Sequence, residues 1–192
     1  MAAIASTAQA PQRRSARWVL LPLTVAALVA VTVGLVARWQ STASGRAEGG
    51  YFDLFFSDPI HLKAWFATAA AALACFQLFT AAWMYRKLPL ARHPLVNFVH
   101  RWSGRTAFVA TLPVAYHCLF KLGYQGADDR VLLHSLVGCA FYGAYAAKVL
   151  IVKMKRYPVW VIPTAGGLLF TTLVTAWYTS AYWFFGQVGE GL

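Results

Sequence analysis

Five apolar runs separated by short polar stretches divide this chain, at about residues 18–37, 60–85, 97–120, 131–152 and 159–185. Each is at least about 20 residues long, and at about 1.5 Å of rise per residue a helix of that length matches a hydrocarbon layer about 30 Å thick. The pattern predicts an all-α integral membrane protein, a five-transmembrane-helix bundle forming one domain over residues 18–185. Several boundaries carry their own signals. Ser57-Asp58-Pro59 offers a cap and a proline at the first helical position of the second run, and Asp128 with Asp129 does the same by charge and capping for the fourth. Pro89 and Pro94 interrupt the connector after the second run, and Pro113 predicts a kink in the third. The stretch YFDLFF, Tyr51 to Phe56, is short and interrupted by acid, and reads as interfacial. Residues 1–17 read as a disordered cytoplasmic tail and 186–192 as an external tail. The first run exceeds the roughly 7–15 apolar residues of a signal-peptide core and has no small-residue cleavage site directly after it, so it reads as a retained span, with a cleaved signal peptide as the minor alternative.

Charge supports this division independently. The chain is 59% hydrophobic with mean hydropathy +0.54, yet carries a formal charge of +11. Twelve of the 17 Lys and Arg residues fall at one alternating set of ends: Arg13, Arg14, Arg17, Arg86, Lys87, Arg92, Arg101, Arg105, Lys148, Lys153, Lys155 and Arg156. All six acids fall at the other, namely Glu48, Asp53, Asp58, Asp128, Asp129 and Glu190. A wrong span count would scramble that sorting. By the positive-inside rule the N-terminus is cytoplasmic and the C-terminus external, in a multi-pass protein of the cell (plasma or inner) membrane. The basic excess therefore reads as orientation within lipid, and no nucleic-acid partner is expected. Cys75, Cys118 and Cys139 each fall within a run and form no C-x-x-C pair, which argues against c-type haem attachment and a disulfide framework.

Histidines carry the candidate chemistry. His117 precedes the loop after the third run by about one turn and His134 follows it by about one turn, so both imidazoles lie at similar depth near the outer face. Imidazole within a membrane span is costly and marks a functional site by default, and two rings at one depth suit the axial positions of a haem iron. Gly138 is one turn inward of His134 and leaves room for a flat ring, while Lys121, Arg130 and Lys63 stand at the rim where propionates would emerge. His61 is an alternate ligand near the same face. His100, the other alternate ligand, lies toward the other face, where no histidine of the fourth or fifth run matches it in depth, so one haem b is expected rather than two.

The string His100-Arg101-Trp102-Ser103-Gly104-Arg105, followed by Tyr116-His117, resembles the ferric-reductase-like transmembrane cytochrome b superfamily, and LLHSLVG around His134 is similar to its partner segment. The resemblance covers the third and fourth runs. It implies that His117 and His134 are axial haem ligands. Two departures, the long interval from His100 to His117 and the absence of a second histidine on the fourth run, agree with a single haem. The remaining loops are too short for a flavin or nicotinamide domain. The expectation is thus an electron-transfer subunit, not a self-contained enzyme, moving one electron between a membrane quinol or neighbouring redox subunit and an external partner. Two alternatives stand beside it: a haem-free copper or zinc site built from His61, His117 and His134, and a structural or quinone-site subunit of a redox complex.

Overall fold

A computed structural model describes residues 17–43, 51–91, 93–155 and 157–189. Among them the chain is helical, with no strand: α1 Arg17–Ala43, α2 Pro59–Met84, α3 Val96–Tyr116, α4 Asp129–Met154, α5 Val161–Trp177 and α6 Trp183–Gly189. Two π-helical turns extend this scheme. His117–Leu122 prolongs α3, and Tyr178–Tyr182 joins α5 to α6 in one rod. Four of these rods are long and apolar enough to cross a membrane: α1, α2, α4 and the α5–α6 rod. With its π turn α3 is as long, but His100, Arg101, Ser103 and Arg105 make it more polar. Large apolar side chains such as Leu28, Leu35, Phe98, Val109 and Leu168 stay exposed on the outside of the bundle, a surface suited to lipid.

The aspartates start their helices as the sequence indicates. The Asp58 carboxylate accepts from the backbone N–H groups of Ile60 and His61 at 2.8 and 2.9 Å, and its other oxygen lies 2.6 Å from His61 Nδ1. The His61 backbone N–H first, and then its imidazole, hold the Asp58 pKa down at about 2. Asp128 likewise accepts from Val131 N–H at 2.8 Å. Both caps lie at one end of the bundle, here called the acidic end. Lys87, Lys153 and Lys155 lie at the opposite, basic end.

The helices form a ring in the order α1, α4, α5, α2, α3. The π turn of α3 closes it against α1 at the acidic end, where Tyr124 N–H donates to Ala37 O at 3.0 Å and Gly123, at φ +69°, fits beneath Ser41. The α1–α4 seam is built from small residues. A Cβ at Gly143 would overlap Ala26 O and meet Ala30 Cβ at 3.1 Å, while one at Gly34 would lie 3.7 Å from Cys139 Sγ. Such residues let helix backbones approach where lipid removes the hydrophobic drive to associate. Elsewhere polar bonds join the ring: Trp177 Nε1–H to Thr68 Oγ1 at 3.0 Å ties α5 to α2, and Gln77 donates to Ser103 Oγ at 2.6 Å between α2 and α3. Across the ring, α3 and α4 are not packed backbone to backbone. Side chains bridge them, with Phe108 stacked on Tyr145 at 3.9 Å and the Tyr142 hydroxyl 3.3 Å from Thr111 Oγ1.

Two boundaries differ from the sequence-based expectation. The first helix runs to Ala43 rather than ending near residue 37, because Arg38, Trp39, Gln40 and Ser41 continue it as an amphipathic turn against the loop after α3. Most of the expected N-terminal tail, residues 1–16, lies outside the described residues. The external tail expected from residue 186 is helical through Gly189, and residues 190–192 lie outside the described residues.

Candidate functional site

Because α3 and α4 are held apart, the acidic-end half of the ring encloses a cavity of about 440 Å³. That volume falls in the range of small-molecule and cofactor sites. Its wall is mostly apolar and small, with Ala64 and Ala67 from α2, Ala115 from α3 and Gly138 from α4. A Cβ at Gly138 would meet nothing within 4 Å, so the space expected beside that glycine exists. Residues with polar side chains on the wall include Lys63, Thr111, Cys118, Arg130, His134 and Tyr142.

His134 is fixed from behind. Its Nδ1 lies 3.1 Å from Ala176 O and 3.2 Å from Thr179 Oγ1. A carbonyl can only accept, and the Thr179 hydroxyl already donates to Thr175 O at 2.8 Å, so Nδ1 carries the proton and Nε2 keeps its lone pair. No described residue bonds Nε2. The Lys63 ammonium on the same wall also has no hydrogen-bond or ion-pair partner among the described residues, and it lies within electrostatic reach of both His134 and Cys118. Arg130, by contrast, is committed: its Nη1–H donates to Thr179 O at 2.7 Å and its guanidinium lies 3.9 Å above the Trp183 ring.

His117 is placed differently from the expectation. It shares the depth of His134 but not its cavity. Fully buried, it donates from Nδ1 to Pro113 O at 2.9 Å, while its Nε2 accepts from Phe52 N–H at 3.4 Å. Phe52 and Tyr51 pack on the ring at centroid distances of 4.5 and 5.9 Å, so the interfacial segment read from YFDLFF covers this imidazole. Lys121 turns to the same side, over Tyr51 and Tyr116, and is absent from the cavity wall. A haem between His117 and His134 needs both Nε2 atoms facing one space, and the arrangement described here does not provide that. His61 pairs with Asp58 and packs edge-on against Phe184 outside the cavity. No group of three or more His, Cys, Asp or Glu comes together among the described residues, so His61, His117 and His134 are not gathered around one point. His100 lies toward the basic end, its Nδ1 2.7 Å from Thr80 Oγ1.

Depth along a helix was legible in the sequence, and it puts His117 and His134 at one level. Direction around the helix decides partnership, and that depends on which helices are neighbours. Cys118, Tyr142 and Trp177 enter the wall through the same unpredicted ring order. Neither curated proteins nor solved structures give a match to this chain. The description of a family of unknown function, DUF6529, matches residues 19–191, and the chain belongs to that family.

Proposed function

We propose that this protein is a five-span subunit of a redox complex in the cell membrane, N-terminus cytoplasmic and C-terminus external, whose outer cavity binds a quinol or quinone. In support of the fifth span, α3 with its π turn runs alongside α2 between the same two ends of the bundle. The positive-inside rule makes the acidic end the external one. One observation carries the ligand reading: an imidazole lone pair, His134 Nε2, and an unpaired ammonium, Lys63, share one apolar cavity. A quinol has an apolar body and two hydroxyls, the complement of that wall. On oxidation it loses two protons and two electrons. His134 Nε2 is placed to accept one hydroxyl proton and Lys63 to stabilise the resulting oxyanion; the second hydroxyl proton passes to water at the acidic end, and the two electrons pass singly to a one-electron acceptor carried by a partner subunit.

A haem reading stands second, favoured by the Nδ1–H bonds of His134 and His117 to backbone carbonyls, the kind of bond that orients an iron-ligating imidazole. His134 Nε2 would be the ligand and Lys63 would face the propionates; His117 as placed supplies no second ligand on this cavity. Bound haem would supply one-electron chemistry, and this chain would contribute burial and ring orientation. A reduced-minus-oxidised spectrum of the purified protein, with extracted quinone quantified per chain, separates the two. The quinol reading expects bound quinone and no haem bands. Stoichiometric haem lost on His134→Ala would overturn it in favour of the second.

A further inference from the structure

The basic-end half of the α3–α4 gap lies beyond the Phe108–Tyr145 stack and outside the cavity just described. Lys148 sits there, about 9 Å inside the Met154 end of α4, and His100 about 6 Å inside the Val96 end of α3. The ammonium points across to α5, where a Cβ on Gly166 would lie 4.0 Å from Nζ, and it is within electrostatic reach of His100. Gly167 beside it leaves open space, since a Cβ there would meet nothing within 4 Å. Lys148 has no hydrogen-bond or ion-pair partner among the described residues.

The described residues supply no counter-charge at this level. No acid occurs between Asp58 and Asp128 or between Asp129 and Glu190, and the four acids in described segments lie at the opposite end of the bundle. An unpaired charge within a membrane span is expensive, and such residues pair or face a polar path. We infer that Lys148, with His100 beside it, holds the phosphate of an anionic phospholipid from the leaflet at the basic end, the headgroup lying over Gly166 and Gly167. The ammonium donates to the phosphate oxygens. The imidazole, tied through Nδ1 to Thr80, completes the polar wall with its Nε2, and the acyl chains run along the exposed apolar face. A leaflet rich in anionic lipid supplies such a ligand at high local concentration.

The test uses the full chain in detergent, with native mass spectrometry of bound lipid during titration with phosphatidylglycerol or phosphatidylcholine. The wild type is expected to hold one phosphatidylglycerol about ten-fold more tightly than phosphatidylcholine, and Lys148→Gln to lose that preference. Lys153→Gln, an exposed charge at the same end, should change binding by about two-fold at most. Lys148→Met, which keeps the apolar stem, should behave like Lys148→Gln and guards against misfolding of either. Unchanged preference in both Lys148 variants overturns the inference, as does an equal loss on Lys153→Gln. Full displacement of the lipid by millimolar inorganic phosphate also overturns it, because the site would then select a free ion.

Discussion

Replacing Gly143 by alanine tests the ring order on which the cavity depends. The added methyl would overlap the Ala26 carbonyl oxygen and lie 3.1 Å from Ala30 Cβ and 3.2 Å from Ala26 C. Two of these three atoms belong to backbone, so no rotamer change relieves the clash. To restore ordinary contact α1 must retreat by about an ångström, and overpacking of that kind costs about 1–3 kcal/mol. At about 2–4 °C of melting temperature per kcal/mol for a chain of this size, Gly143→Ala should melt roughly 5 °C lower in detergent. Gly138→Ala is the matched control on the same helix, since its methyl enters the cavity without contact and should leave the melting temperature within about 1 °C. The readout is the loss of circular dichroism on heating, with size-exclusion profiles before and after. If Gly143→Ala melts with the wild type, or if Gly138→Ala falls as far, α1 does not lie against α4 as described and the cavity wall is wrong.

Three further outcomes follow from the polar ties. Trp177→Phe removes the bond to Thr68 between α5 and α2 while keeping an aromatic side chain, and the lost bond should cost about 0.5–1.5 kcal/mol by thermal melting. Arg130→Gln loses both its contact with the Trp183 ring and its bond to Thr179 O; Trp fluorescence should shift and α6 should become more accessible to protease, with α4 intact by circular dichroism. The Asp58 carboxyl, at about 2 in the fold against a free value near 4, contributes stability that is complete above about pH 4 and fades as pH falls through about 2. Asp58→Asn should flatten that acid limb of the melting profile, and an unchanged limb would reject the cap's role.

Much of the fold is written in the hydrophobic pattern. All five expected runs correspond to helices, and the caps at Asp58 and Asp128 lie within a residue or two of their starts because a carboxylate before a helix meets free N–H groups whatever the tertiary context. The π turns were not legible, since His117–Leu122 and Tyr178–Tyr182 differ from ordinary helix by one residue of register and no composition marks that change. The site was half legible. His134, Gly138 and Arg130 do border the cavity, whereas His117 and Lys121 face the Tyr51–Phe52 segment. A short loop joins α3 to α4, and consecutive elements are usually neighbours, so the sequence pairs these two helices. Here α3 lies against α2 instead, and the gap left beside α4 is the cavity itself.

One imidazole, His134, lies on the wall of the acidic-end cavity, while His117 is sealed behind Phe52. Binding of a short-chain quinol analogue to the purified protein, followed by fluorescence quenching of Trp177 and Trp183 in wild type, His134→Ala and His117→Ala, measures this directly. His134→Ala should weaken binding by about ten-fold, the loss of one well-formed hydrogen bond in an apolar site, and His117→Ala, read on folded monodisperse protein, should change it by less than about two-fold. Equal loss in both variants, or none in either, would contradict the single-histidine site.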